Sequence, residues 1–221
     1  MKVVKEGEVR KKELLLAARE LFISKGYDQT SVNDILNVVG IAKGTFYYYF
    51  ASKEEVLNGI ILDIVESGAK KAEAILSDKS VPVLERIVSA IMAQTPEFEG
   101  ANTIRDEMHK IENAKLERLY LRRMLVRMTP ILTRAVEEAI VEGVCNPEYP
   151  EEGVETLLLL GHMMFDCDTF AWEKENYPIK IKAFLSNAEK IMGTKKGAFD
   201  YFLRMFAQLE TPSKKENLQK I

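Results

Sequence analysis

Apolar residues recur at helical spacing along nearly the whole chain. Between Arg10 and Lys25, the residues Leu14, Ala18, Leu21 and Phe22 stand at i, i+4, i+7 and i+8, one face of an amphipathic helix. Gly26 follows and suits the left-handed position that ends a helix. Thr30 and Ser31 are N-cap residues, and Asp34, three places after Ser31, is the acidic partner of a capping box. A second helix is therefore expected, with Val32, Ile35, Leu36 and Val39 on one stripe and Gly40 at its end. A third, short helix runs from about Ala42 to Tyr49. Ser52 with Glu55 forms another capping box, opening a long fourth helix toward about Leu76 whose stripe is Val56, Leu57, Ile60, Ile61, Ile64 and Val65. The pattern then predicts helices over 82–94, 102–112, 115 to about 142, 151–175, 179–192 and 196–209, with Pro130 interrupting the one from 115 and kinking it. No stretch alternates with period 2, and no repeat is visible. The expected fold is all-α.

The order helix, turn, helix, glycine turn, short helix is that of a three-helix helix-turn-helix unit. Its third helix is unusual, with Tyr47, Tyr48 and Tyr49 in succession between Phe46 and Phe50. Adjacent helical positions point about 100° apart. Phe46 and Phe50, four apart, share a face and are expected in the core. The three tyrosines cannot all follow them, so at least one hydroxyl edge is exposed. Lys43 and Thr45 stand at the N-terminal end of this helix, where a recognition helix offers groups to base edges. A lysine there can donate to guanine O6 or N7, and a threonine can meet a thymine methyl or hydrogen-bond. Gly44 brings no Cβ between backbone and groove.

These residues carry a resemblance. Leu21-Phe22, Gly26-Tyr27, Thr30-Ser31-Val32, Ile35, Gly40-Ile41, Gly44-Thr45-Phe46-Tyr47, Phe50 and Ser52-Lys53-Glu54 resemble the N-terminal signature of TetR-family transcriptional regulators, over about residues 10–57. The resemblance implies a two-fold dimer whose third helices enter successive major grooves of a palindromic operator, with an all-helical ligand-binding and dimerisation domain behind. It implies phosphate contacts from Thr30, Ser31, Tyr47 and Lys53, a base or backbone contact from Asn33, and Tyr48 and Tyr49 flanking the groove. Two departures stand out. Ala42 occupies the position where the family usually has Ser or Thr as the cap, and Leu36 and Val39 replace small alanines. The expected division is a DNA-binding domain over 1–53, joined by the continuous fourth helix to a helical domain over 54–221.

Composition adds a mild charge asymmetry. Residues 1–53 hold nine Lys or Arg against six Asp or Glu, a net of +3, and 54–221 hold 22 against 28, a net of −6. A basic head on an acidic body fits DNA binding confined to the head. With 47% hydrophobic and 29% charged residues, the chain is of ordinary globular composition. No apolar run nears the roughly 18 residues that span a bilayer, and the charged Met1–Gly7 stretch is no signal peptide, so a cytoplasmic location and no membrane partner are expected. Cys145 and Cys167 are expected as free thiols, although a disulfide between them is possible in principle. No cofactor or metal is called for: two histidines and two cysteines are scattered, and no glycine-rich phosphate loop occurs. Cys167 carries no catalytic signature, and His162 points about 140° away from it on a helix, so an enzyme is not expected.

Two body segments are more apolar than one solvated face allows, 154–170 and 198–209. The resemblance implies a four-helix bundle between subunits, assigned to 151–175 with one or both of the last two helices; intramolecular core is the alternative use of the same faces. It also implies a cavity for a partly apolar effector. Candidate lining is Met108, His109, Tyr120, Met124, Met128, His162, Phe165, Asp166, Phe170 and Trp172, although a methionine at such a position is more often core. His162 and Asp166, at i and i+4, can bond one another, as a polar ligand contact or a pH-sensitive site, or simply as a satisfied histidine at the interface. Arg122, Arg123 and Arg127 form a basic cluster, either a solvated face or an anion site. A ligand-responsive repressor is the leading expectation. A DNA-binding regulator answering to a protein partner, or to nothing, is the alternative.

Overall fold

A computed structural model describes residues 2–94, 100–108, 114–165 and 173–203. Among them are nine α-helices: α1 (Lys2–Lys25), α2 (Val32–Val39), α3 (Lys43–Tyr49), α4 (Lys53–Ser77), α5 (Val83–Met92), α6 (Ala101–Met108), α7 (Ala114–Val141), α8 (Pro150–Phe165) and α9 (Tyr177–Met192). There are no strands among the described residues. The chain forms two compact units, Met1–Lys71 with Ala93–Met128, and Ala72–Met92 with Thr129–Ile221. Helices α4 and α7 each contribute to both, so packing does not divide the chain where function was expected to, near residue 53.

The first unit is built on the stripes read above. Leu14, Ala18 and Phe22 of α1, Ile35 and Leu36 of α2, Phe46 and Phe50 around α3, and Val56, Leu57, Ile60 and Ile61 of α4 form one buried cluster, closed by Ile104 and Leu116. Helix α6 reaches this core through a close approach. A Cβ on Gly100 would stand 2.3 Å from the Ile23 side chain, and the φ of +79° there is left-handed, so only glycine fits. Arg127 donates to both carboxylate oxygens of Glu66, at 2.9 and 3.1 Å, tying α7 to α4. The expected basic cluster of Arg122, Arg123 and Arg127 is thus divided, because Arg127 is spoken for while Arg122 and Arg123 are exposed.

In the second unit the stripe Ile131, Ala135 and Ala139 of α7 is buried, and α8 packs on α9. Arg86 is 2% exposed yet fully satisfied. It donates to Leu76 O at 2.6 Å, to Val81 O at 2.9 Å and to Glu138 Oε1 at 2.7 Å, with Lys79 on the same carboxylate. These bonds, Arg86 first and Lys79 next, hold the Glu138 carboxyl down to about 2. Cys145 is a free, buried thiol that burial pushes up, and it is correspondingly unreactive. Cys167 lies outside the described residues.

Three expected boundaries move. Helix α1 begins at Lys2, eight residues before Arg10, where the amphipathic pattern was read to start. No helix runs on to Glu175: Lys174–Asn176 form a 3₁₀ turn, and α9 opens at Tyr177 with Pro178 in its first turn, where a missing N–H costs nothing. The segment expected as helical from Lys196 is a turn over 196–199 and helical from Asp200, with Phe199 buried beside it. Pro130 lies inside α7, as expected.

Candidate nucleic-acid interface

Helix α2 is closed at both ends by its own residues. Ser31 has extended backbone, and its Oγ accepts from Asp34 N at 3.2 Å while the Asp34 carboxylate accepts from Ser31 N at 2.7 Å. Lys25 donates to the same carboxylate at 2.9 Å. The Lys25 ammonium, followed by the Ser31 amide and hydroxyl, holds the Asp34 carboxyl well below the usual carboxylate range. At the far end Gly40 is left-handed, with φ of 70°, and its N–H donates to Leu36 O at 2.8 Å. Chain reversal after Gly40 sets the start of α3.

Helix α3 is the opposite case. Ala42 is its N-cap and makes no side-chain hydrogen bond, as the sequence implied. The helix is held instead by Phe46 and Phe50, 0% and 3% exposed, whose ring centroids are 6.1 Å apart. Between and before them, Lys43, Gly44, Thr45, Tyr47 and Tyr48 are exposed, Tyr48 to 81%. Lys43 Nζ lies 5.9 Å from the Tyr47 ring centroid. Tyr49 is half-buried against the core cluster and meets Tyr48 edge to face at 4.9 Å. The expected split between anchors and exposed edges therefore holds, with Tyr49 between the two groups. A cation, a hydroxyl, a bare backbone and two phenols on one short helix form a surface that can donate to phosphates and base edges.

Two expected contacts look different. Thr30 is 1% exposed, and its hydroxyl donates to Gly26 O at 2.7 Å and lies 3.3 Å from Leu21 O. It locks the turn after α1 and has no face for a phosphate. Lys53 Nζ donates to Tyr27 O at 2.7 Å and stands 4.1 Å over the Tyr27 ring, which leaves two of its three N–H groups. Burial, with Glu54, Glu107 and Asp28 adding, raises the Tyr27 phenol, so that ring is a neutral platform. Ser31 and Asn33 are exposed at the start of α2.

Residues 14–60 match the family model described as "Bacterial regulatory proteins, tetR family", and residues 100–187 match "Tetracyclin repressor-like, C-terminal domain". The HTH-type transcriptional regulator YhgD of Bacillus subtilis is 26% identical over 174 residues, covering 77% of this chain and 87% of the relative. The HTH-type transcriptional repressor KstR2 of Mycolicibacterium smegmatis is 32% identical over 84 residues, 38% of this chain and 40% of the relative. In fold, the chain is similar to the crystal structure of a protein described as a TetR-family regulator from Mesorhizobium loti, with a TM-score of 0.59 at 19% identity over 85% of this chain and 98% of that one. The chain belongs to the TetR family. It is a DNA-binding transcriptional regulator, and the family's members are regulators, not enzymes.

The effector residues expected of a TetR-family body are only partly on view. Met124 and Met128 are buried at 4% and 0% exposure, and Tyr120 packs against the core cluster of the first unit. In the second unit His162 is buried, and Phe165 meets Phe184 edge to face at 5.4 Å. His109, Asp166, Phe170 and Trp172, and the side chain of Met108, lie outside the described residues. A shallow cleft of about 150 Å³ opens between α1 and α4, lined by Lys12, Leu15, Leu16, Arg19, Ile60, Asp63 and Ile64. None of the candidate effector residues lines it. No local sequence pattern marks Arg86, whose partner Glu138 is 52 residues away.

Proposed function

We propose that this TetR-family regulator is a repressor that binds a palindromic operator as a homodimer and is released by a small, partly apolar molecule. The exposed row Lys43, Gly44, Thr45, Tyr47 and Tyr48, braced by Phe46 and Phe50, carries the reading. One seven-residue helix reads too few base pairs for a unique address, and two copies about 34–36 Å apart read enough. The dimer is supported by α8, which buries Val154, Leu158 and His162 while leaving Leu159 and Leu160 at 38% and 43% exposure. Apolar side chains on a second face of one helix suit a self-complementary surface. Release is a population shift, in which the effector favours a spacing of the heads that breaks one half-site, with α4 as the element common to head and body. The division at residue 53 is functional in this sense, and the chain works in the cytoplasm alongside the chromosome. Control by a protein partner is the second reading, on the ground of the same exposed α8 ridge.

Selection of duplexes from a random pool tests the DNA side, with a two-fold symmetric consensus expected. Sedimentation with and without a Leu160→Arg substitution tests the dimer; an unchanged molecular mass would sink this use of α8. For the effector, a metabolite library is screened by thermal shift, and stabilising compounds are added to the operator complex. The repressor reading expects at least one to raise the melting temperature and release the duplex.

A further inference from the structure

The cations around the recognition helix differ in what already holds them. Arg10 donates to Glu13 at 2.6 Å, Lys25 to Asp34 at 2.9 Å and Lys53 to the Tyr27 carbonyl at 2.7 Å. Lys43 and Lys11 form no ion pair among the described residues. Lys11 is exposed, and its Nζ stands 5.8 Å from the ring centroid of Phe50, the residue that ends α3. One helical turn earlier, a Cβ on Gly7 would lie 3.7 Å from the Tyr49 hydroxyl. The turn of α1 from Gly7 to Lys11 therefore runs against the C-terminal end of α3, and Lys43 is the first residue of α3. Two uncommitted ammonium groups bracket the recognition helix.

That helix is about 10 Å long at 1.5 Å per residue, shorter than the roughly 12 Å width of a major groove. An element that abuts its end consequently stands at the edge of the groove, where the phosphates run. A lysine there gains a charge-assisted contact and releases a condensed counterion, with no information about sequence. We propose that Lys11 is a phosphate-contacting residue of the interface and supplies the charge that the family motif assigns to Lys53. The inference rests on α3 being the groove-reading helix.

The bland role for Lys11 is to lay its methylene stem on Phe50, and Lys11→Met keeps that stem while removing the charge. Binding of Lys11→Met, Lys11→Arg and Lys53→Ala is measured by fluorescence anisotropy over a range of salt concentrations. The probes are a duplex that the wild type enriches from a random pool and a scrambled duplex of equal length. Lys11→Met is expected to weaken both duplexes by a similar factor, about three- to tenfold near 0.1 M salt. The slope of log affinity against log salt should fall by about one per subunit, with Lys11→Arg restoring it. Because that slope does not depend on the active concentration, a poorly folding variant still reports. A wild-type slope in Lys11→Met overturns the proposal, as does a loss confined to the selected duplex. A reduced slope in Lys53→Ala alone returns the role to Lys53. Failure of the wild type to enrich any duplex is a different result, since it removes the groove-reading role of α3 itself.

Discussion

Helices α2 and α3 are neighbours of eight and seven residues, and they are stabilised in opposite ways. In α2 the information is local: Ser31 and Asp34 close one end, Gly40 the other, and a lysine nine residues away reinforces the cap. In α3 both ends lack side-chain caps, and order comes from two phenylalanines set into a core that α1, α2 and α4 supply. A helix this short is not stable alone in water. Where a helix must show most of its surface to a partner, its order has to come from the few residues that face away. The head thus pairs a self-sufficient helix with a dependent one, and the dependent one carries the proposed DNA-reading surface.

The strongest way to break this contrast is Phe46→Ala. Emptying a fully buried phenylalanine site is expected to cost about 3–5 kcal/mol in urea denaturation, and binding should be lost for every duplex, because the whole of α3 goes. Survival of operator binding at full strength would show that α3 holds itself. Thr45→Ala sharpens the opposite side. It should leave stability within about 0.5 kcal/mol and change base preference at one operator position by about 1–3 kcal/mol. An unchanged consensus in a site selection would remove Thr45 from base reading.

The caps come next in size. Ser31→Ala should cost about 1 kcal/mol by removing the capping box. Ala42→Ser tests the missing cap of α3, with a gain of less than about 1 kcal/mol expected. A melting temperature raised more by Ala42→Ser than Ser31→Ala lowers it would mean that α3, too, is limited by its ends. The smallest effect is on pH. The carboxyl of Asp34 titrates below its unfolded range near 4. Its contribution is therefore complete above about pH 4 and is lost as the pH falls below that, so stability should decline there in the wild type and less steeply in Asp34→Asn. Parallel acid profiles of the two proteins would remove Asp34 as the reinforced cap.

The same contrast explains how far the sequence could be read. Capping boxes, left-handed glycines and stripes of period 3.6 are local patterns, and they led to α2, to the start of α4 with Glu55 N on Ser52 Oγ at 3.1 Å, and to the faces buried by α1 and α7. Even there the reciprocal arm strayed, since Glu55 accepts from Ala51 N and not from the cap residue. What a polar side chain does depends on residues brought near by folding. Thr30 sits in a well-known motif, yet the carbonyls of Leu21 and Gly26 turn its hydroxyl inward. Lys53 is drawn to Tyr27, 26 positions earlier, and Lys11 is brought beside Phe50, 39 positions on. Arg86 reads as one more surface arginine until Leu76, Val81 and Glu138 surround it. Of the candidate interface, the residues of α3 were legible because backbone periodicity alone separates its anchors from its exposed edge.

That separation has a consequence for descent. The side chains that hold α3 in place, Phe46 and Phe50, are not among those it presents, Lys43, Thr45, Tyr47 and Tyr48. On the proposed reading of α3, substitutions that retarget a duplicated copy of this gene to a new operator can therefore accumulate at the presented positions without eroding the fold. Lineages of such proteins can diverge in the sites they occupy long before they diverge in architecture. A designer who wishes to redirect this head has the same freedom, at the same four side chains.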